Sequence, residues 1–375
     1  MARRRGNGEG SITRRKDGRW MGRYTVHTAE GPKQRAVYGK TRGEVSQKLT
    51  RAMADRDSGF TYDTESMIVG DYLGRWLTDA VRDTVRRKTY ERYESIVRVH
   101  LLPVIGRLKL TALTPAHVRS LYREKLDSGL APRTVLHIHR TLSKALKQAT
   151  EDGLIPRNAA GPVKPPRPGT EEIRPLSRDQ VQTFLDAVSG ERLEALYVLA
   201  ITAGLRQGEL LALKWDDVDL EAGTLQVRRT LSETRGRRTF EAPKSGRGRS
   251  IRLSRRAADA LKVHRRAQLK ERMTKAGLWE EHGLVFASQV GTTMSGRNLY
   301  RAFKIRLKRA GLPETLRFHD LRHTCATLLL RQGINPKFVQ ELLGHADISL
   351  TLNVYSHVLP DMGDAVASGI DAALG

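Results

Sequence analysis

The 375-residue chain has a single cysteine, Cys325, so no internal disulfide can form, which fits a reducing cytosol. That cysteine lies in an apolar helical run and reads as a small core residue rather than a reactive thiol. Long apolar runs are missing as well. The longest, Ala195–Leu205, spans eleven residues, well short of the ~20 a membrane-spanning helix needs. The opening MARRRGNGEG is basic with no apolar stretch behind it, which argues against a signal peptide.

Acidic residues are scarce. Asp and Glu number 41 against 66 Lys and Arg, giving a net charge of +25 and a pI of about 10.5. Such an excess calls for a polyanionic partner, since each neutralised phosphate releases condensed counterions. An anionic membrane is the rival, but no basic amphipathic helix with a Trp/Phe/Leu face stands out. Nucleic acid is the expected partner. A hydrophobic fraction of 39% supports real cores, and the length suits two or three domains.

The expected fold class is multidomain. Residues 1–60 hold 15 Lys and Arg against 6 Asp and Glu. Ser11–Thr13, Arg19–His27 and Lys33–Tyr38 read as short strands, parted by the hairpin signal Lys16-Asp17-Gly18 and by Glu30-Gly31-Pro32. Thr41 to Glu44 is a capping-box pattern, followed by Val45, Leu49 and Met53 at helical spacing. This predicts a small α+β domain, a three-stranded sheet with one helix behind it, presenting Arg14, Lys16, Arg19, Arg23 and Arg35 to a DNA groove.

Residues 66–160 read as an all-α domain with four apolar stripes, one from Val69 to Leu77, one from Tyr90 to Val97, and one after each of Thr114-Pro115 and Pro132. Its outer faces carry Arg86, Arg87, Lys88, Arg140 and Lys144, placed to track a DNA backbone, contacts that position a protein without reading sequence. His137 and His139 are two apart on a helix and face different ways, so they are not a metal pair. Residues 161–175 close a proline-rich stretch that reads as a linker.

Residues 176–375 read as mainly α with one small antiparallel sheet, Thr224–Arg229, Arg238–Ala242 and Ser250–Leu253. The loop Pro243–Arg249 is Gly-rich and basic; its Lys244, Arg247 and Arg249 suit a groove. Asn298–Ala310 is a basic helix whose Arg301, Lys304, Arg306, Lys308 and Arg309 read as phosphate-facing.

Two boxes carry chemistry. In the first, Thr202 to Leu210, Gly204 lets the chain leave a helix through a left-handed turn, so Arg206 can point into a cleft. Glu209, three residues on, can bond back to that arginine. The second runs from Leu316 to His357. His319 and Arg322 lie three apart on a helix start and can face one phosphate. Gly344 permits a tight turn before His345, and Tyr355 and His357 follow. Planar guanidinium forks hold non-bridging phosphate oxygens, and neighbouring cations can lower a tyrosine hydroxyl from its ordinary ~10.

These boxes, in this order, resemble those of the tyrosine recombinases, the phage-type integrases. The resemblance implies a site-specific DNA recombinase that integrates or excises a phage or mobile element. In it Tyr355 would join the 3′-phosphate and leave a free 5′-hydroxyl. His319 would be general base and Lys244, matching the β-hairpin lysine of the family, general acid. Arg206, Arg322 and His345 would stabilise charge, supported by Glu209. Residues 1–60 resemble an arm-type DNA-binding domain and 66–160 a core-binding domain, which leaves 176–375 as catalytic domain.

The implied partners are double-stranded DNA with core-type and arm-type attachment sites, further copies of the chain in a homo-tetramer, a directionality factor and a host DNA-bending protein. No cofactor and no membrane is implied, and the expected location is the bacterial cytoplasm, at the nucleoid. Met362, Val366, Ile370 and Ala373 read as a short helix suited to tetramer assembly.

Three rivals remain. His319 and His323 have the spacing of a zinc pair, but Asp320 stands where the metalloprotease motif has Glu, and Arg322 would repel a cation. An architectural or regulatory DNA-binding protein would need no chemistry at all. A type IB topoisomerase would share the nucleophile without strand exchange.

Overall fold

The computed structural model describes residues 10–28, 31–57, 66–169, 174–234, 236–243, 248–345, 347–349, 352, 368 and 370–375. Lys244, Arg247, Tyr355, His357, Met362 and Val366 lie outside the described residues. The chain divides into two compact units, Met1–Thr170 and Glu171–Gly375.

The first unit opens with an antiparallel meander, β1 (Ser11–Arg14), β2 (Trp20–Thr28) and β3 (Gly31–Gly39), backed by helix α1 (Arg42–Asp57). Thr41 Oγ1 accepts from the Glu44 amide at 3.2 Å and the Glu44 carboxylate from the Lys40 amide at 2.8 Å, which starts the helix as its sequence pattern implies. Tyr24, Val26 and Leu49 form the small core with Ile12 and Val37. A Cβ at Gly22 would stand 3.0 Å from both the Val37 and Val45 side chains, so the glycine lets the helix close on the sheet.

Strand register corrects part of the expected basic face. Gly22 and Tyr24 face the helix, and their cross-strand partners share that side: Tyr24 pairs with Arg35, and Trp20, two residues before Gly22, with Arg14. Arg14 and Arg35 therefore sit on the helix side of the sheet. Arg23, paired with Ser11 and Ala36, occupies the open face, while Lys16 and Arg19 belong to the connection between β1 and β2. Arg15, which sequence reasoning passed over, sets its guanidinium 5.5 Å from the centre of the Tyr38 ring on that open face.

The helices follow: α2 (Val69–Arg75), α3 (Arg87–Ile96), α4 (Leu102–Ile105), α5 (Pro115–Asp127) and α6 (Pro132–Glu151), with π-helical turns at Trp76–Val81 and Val97–Leu101. Leu73, Leu101, Leu121, Ile138 and Leu142 are fully buried between them, and Tyr72 Oη donates to the Ala145 carbonyl at 2.6 Å. Arg86, Arg87, Lys88, Arg140 and Lys144 are all solvent-exposed, with Lys144 Nζ 5.4 Å over the Tyr93 ring. His137 bonds Arg92 and His139 bonds Tyr122 Oη. Val163, expected in the linker, is instead only 4% exposed and packs on this helical core with Ile155 and Ala160. An apolar side chain next to a packed surface gains by burial even inside a proline-rich stretch.

The second unit holds α7 (Arg178–Ala187), α8 (Glu194–Thr202), α9 (Gln207–Leu211), β4 (Val218–Asp219), β5 (Thr224–Val227), β6 (Thr230–Thr234), β7 (Arg237–Glu241), β8 (Arg249–Arg252), α10 (Arg255–Thr274), α11 (Gly296–Arg309), α12 (Asp320–Arg331) and α13 (Pro336–Leu343). Helix α8 is apolar all round and runs through the core, where Phe184, Tyr197, Phe286 and Phe303 are buried.

The single expected sheet is two. Strands β4, β5 and β8 form one, while β6 and β7 form a separate hairpin in which Thr234 pairs with Arg237 and Gly236 takes φ +77°. A two-residue connection ending in glycine was the readable signal for that hairpin. Helix α10 was not anticipated, because its buried positions are Ala257, Leu261, His264 and Gln268, two of them polar. Helix α11 exists, but four of its five expected phosphate contacts are engaged internally, Arg301 donating to Asn298 Oδ1 at 2.6 Å. Lys304 donates to the Leu316 carbonyl, and Arg306 and Arg309 both pair with Glu191.

Candidate active site

Helix α8 ends where Gly204 adopts φ +60°. A Cβ there would stand 2.5 Å from Leu343 Cδ2, so only glycine fits between α8 and the end of α13. Two residues later Arg206 caps α9. Its backbone amide donates to Glu209 Oε2 at 3.0 Å, and its Nη1 to Glu209 Oε1 at 2.8 Å. Glu209 is 3% exposed and also receives Nη1 and Nη2 of Arg249, at 3.1 and 2.7 Å. Burial alone would raise this carboxyl, but Arg249 and Arg206 outweigh that and hold it at about 2. Glu209 is thus a fixed anion that orients two guanidinium planes.

His319 precedes α12, and Arg322 follows one turn later, 2% exposed. Arg322 donates from Nη1 to the Gly204 carbonyl at 2.7 Å and from Nη2 to the Leu343 carbonyl at 2.6 Å. Helix α13 stops at Gly344, left-handed at φ +64°, which turns His345 back over the helix end. The His345 amide donates to the Gln340 carbonyl at 3.1 Å, and Gln340 Nε2 to the His345 carbonyl at 3.0 Å. Arg206 Nη2 reaches the Gly344 carbonyl at 3.3 Å. The α8–α9 turn, α12 and the end of α13 are laced into one wall by these two arginines.

Both imidazoles in this wall are held down at about 4. For His319 the causes are desolvation first, then His323, Arg322 and Arg206; for His345, desolvation, then Arg322 and Arg206. His319 nevertheless remains exposed to solvent. His323 stands edge-on to it, ring centres 5.0 Å apart. At neutral pH this wall therefore carries two fixed guanidinium groups and two uncharged imidazoles. That set suits a phosphoryl centre whose charge grows in the transition state, with the exposed His319 imidazole able to take a proton.

Of the expected residues, the structure brings together Arg206, Glu209, His319, Arg322 and His345. Arg249 corrects an expectation. Rather than reaching for a groove it is 11% exposed in its side chain and turned inward onto Glu209 and the Leu342 carbonyl. Nothing in the spacing of residues 209, 249 and 342 signals this contact. Among the described residues no group of three or more His, Cys, Asp and Glu could hold a metal ion.

The sequence profile of the phage integrase family matches residues 174–362, and that of the phage integrase N-terminal SAM-like domain matches residues 68–126. A tyrosine recombinase XerC-like protein of Caldanaerobacter subterraneus subsp. tengcongensis is 31% identical over 347 residues, covering 87% of this chain and 88% of that protein. The chain belongs to the phage integrase family. It is a tyrosine recombinase, an enzyme that breaks and rejoins DNA at specific sites. An integrase of Saccharopolyspora erythraea is 27% identical, covering 97% of this integrase and 96% of its relative. The fold is also that of the Tn1549 transposon integrase, solved with a circular intermediate DNA. That likeness has a TM-score of 0.70 at 23% identity, over 82% of this integrase and 100% of that chain.

Proposed function

We propose that this integrase exchanges DNA strands through Tyr355, with Arg206, His319, Arg322 and His345 holding the scissile phosphate and Glu209 fixing the plane of Arg206. The observation that supports this reading is the convergence of two carbonyl-braced arginines and two uncharged histidines from separate elements. The Tyr355 oxygen attacks phosphorus as the bond to the 5′-oxygen breaks. His319 takes the phenol proton, and Lys244 gives one to the departing 5′-oxygen. Arg206 and Arg322 spread the charge on the non-bridging oxygens, and His345 donates a hydrogen bond to one of them. A 5′-hydroxyl from a partner strand then reverses these steps. The phosphotyrosine keeps the bond energy, so no nucleotide is consumed.

The substrate is double-stranded DNA. Core-type sites engage the exposed faces of α3 and α6, and arm-type sites the open face of the N-terminal sheet around Arg23. The corresponding organisation is an arm-type domain over 1–60, a core-binding domain from 66 to Val163, a linker to 175 and a catalytic domain over 176–375. The integrase acts as a homo-tetramer on DNA in the bacterial cytoplasm, at the nucleoid, with a directionality factor and a host DNA-bending protein setting the outcome. Among the described residues no helix is long and apolar enough to cross a membrane.

The test uses a supercoiled plasmid that carries the DNA flanking the gene, incubated with the full chain and a second DNA bearing the same segment. New junctions support the reading. Relaxation without junctions would indicate a topoisomerase-like activity, and retarded DNA with neither would indicate an architectural protein.

A further inference from the structure

A helix leaves its last carbonyls without intrahelical N–H partners and carries partial negative charge at that end. At the end of α13 three consecutive carbonyls each receive a different arginine. Leu342 accepts from Arg249 Nε at 2.8 Å, Leu343 from Arg322 Nη2 at 2.6 Å and Gly344 from Arg206 Nη2 at 3.3 Å. His345 is the next residue. The geometry points to Arg249 as a positioning residue for strand cleavage, the third arm of an arginine clamp that sets Arg206 through Glu209 and His345 through the α13 end. This inference rests on the proposed role of Arg206 and His345 at the phosphate.

Three features separate Arg249 from Arg206. Its Nε, Nη1 and Nη2 all have protein acceptors, two on Glu209 and one on Leu342, so its fork is fully engaged inside the protein. Arg206, at 27% side-chain exposure against 11% for Arg249, still opens onto the cleft. The approach of Arg249 to the turn is also close. A Cβ on Gly344 would stand 3.1 Å from its Cδ and Nη1, so the left-handed glycine that precedes His345 packs directly on this guanidinium. Arg249 thus holds by contact the backbone that aims His345. Through the shared Glu209 carboxylate it also keeps the Arg206 plane from swinging. Among the described residues, removing it would leave Glu209 to Arg206 alone and take the arginine donor from the Leu342 carbonyl.

The experiment is single-turnover cleavage of nicked DNA carrying the integrase's core site, with either a normal or a methylphosphonate linkage at the scissile position. The methylphosphonate lacks one anionic oxygen, so it depends less on guanidinium charge. Arg249→Gln is expected to cleave normal DNA roughly 10- to 100-fold more slowly than wild type at saturating DNA, the scale set by a small misplacement of catalytic groups. The deficit should shrink severalfold on the methylphosphonate, and Arg249→Lys, which restores one bond to Glu209, should fall between.

A merely structural defect would slow both substrates alike and lower the melting temperature in proportion; that result, or a wild-type rate on normal DNA, overturns the proposal. Arg206→Ala, run beside it, separates the two levels. Cleavage by Arg206→Ala at the wild-type rate would remove the proposed function and this inference together. Loss of cleavage in Arg206→Ala with full cleavage in Arg249→Gln would remove this inference only.

Discussion

The cleft of the second unit and the outer face of the helical module in the first are both rich in arginine, yet they use it in opposite ways. Around the cleft, Arg206, Arg249 and Arg322 are held by Glu209 and by the carbonyls of Gly204, Leu342, Leu343 and Gly344. On α3 and α6, Arg87, Lys88, Arg140 and Lys144 are exposed. Fixed cations suit catalysis, because a preorganised charge needs no rearrangement as the transition state forms. Exposed cations on flexible stems suit affinity, where many phosphates are neutralised and none is chosen. Positive charge alone therefore says little about role. What each guanidinium is bonded to decides it, and α11 makes the point, since its Arg306 and Arg309 serve Glu191.

The largest effect that would sharpen this contrast is on chemistry. Arg322→Ala should lower single-turnover cleavage by about 1,000-fold while leaving DNA affinity within about threefold, the range seen when one fixed transition-state donor is lost. Next comes stability. Glu209→Ala strips a buried carboxylate from two arginines and should cost about 3–5 kcal/mol, measured by urea unfolding. The same change on the surface, Glu91→Ala beside Arg87, should cost under about 1 kcal/mol.

A smaller effect is expected with pH. His319 and His345 are held near 4 in the folded chain against an ordinary 6.5. The unfolded chain therefore binds their protons first. Their contribution to stability is intact above 6.5 and declines as pH falls from 6.5 towards 4, then levels. Glu209, at about 2, adds a further loss as pH falls below 4.5. Subtracting the urea midpoints of His319→Asn/His345→Asn from those of wild type isolates the two histidines, and a difference that stays flat from pH 7 to 4 would break the assignment. The smallest effect belongs to the surface. Arg140→Gln/Lys144→Gln should reduce the salt dependence of core-site binding by about two units of slope, with cleavage at saturating DNA unchanged. Slower cleavage there would erase the contrast between cleft and face.

Much of this was legible in sequence because the signals are local. Thr41 and Glu44 start a helix as their spacing suggests, with the Glu44 amide donating to Thr41 Oγ1 at 3.2 Å. Gly204 and Gly344 take the left-handed turns their positions suggest. Glu209 bonds back to Arg206, three residues away. What escaped depends on distance along the chain or on alternation. Arg249 reaches Glu209 across forty residues, and no periodicity encodes that. Arg14 and Arg35 look equivalent to Arg23 until the strand register assigns their side of the sheet. Helix α10 was hidden because its inner face uses His264 and Gln268, which bond the Val285 carbonyl at 2.7 and 3.0 Å and so look polar in sequence though buried.

The central claim is that Tyr355 becomes covalently bound to DNA in a site whose cations are supplied by the protein. The most direct measurement incubates nicked suicide fragments of the gene-flanking DNA with the full chain in EDTA, then resolves them on a denaturing gel beside Tyr355→Phe. The expected result is a slow protein–DNA band with wild type that is absent with Tyr355→Phe. A band of equal strength from Tyr355→Phe, or DNA bound by wild type but never linked to it, would contradict the claim.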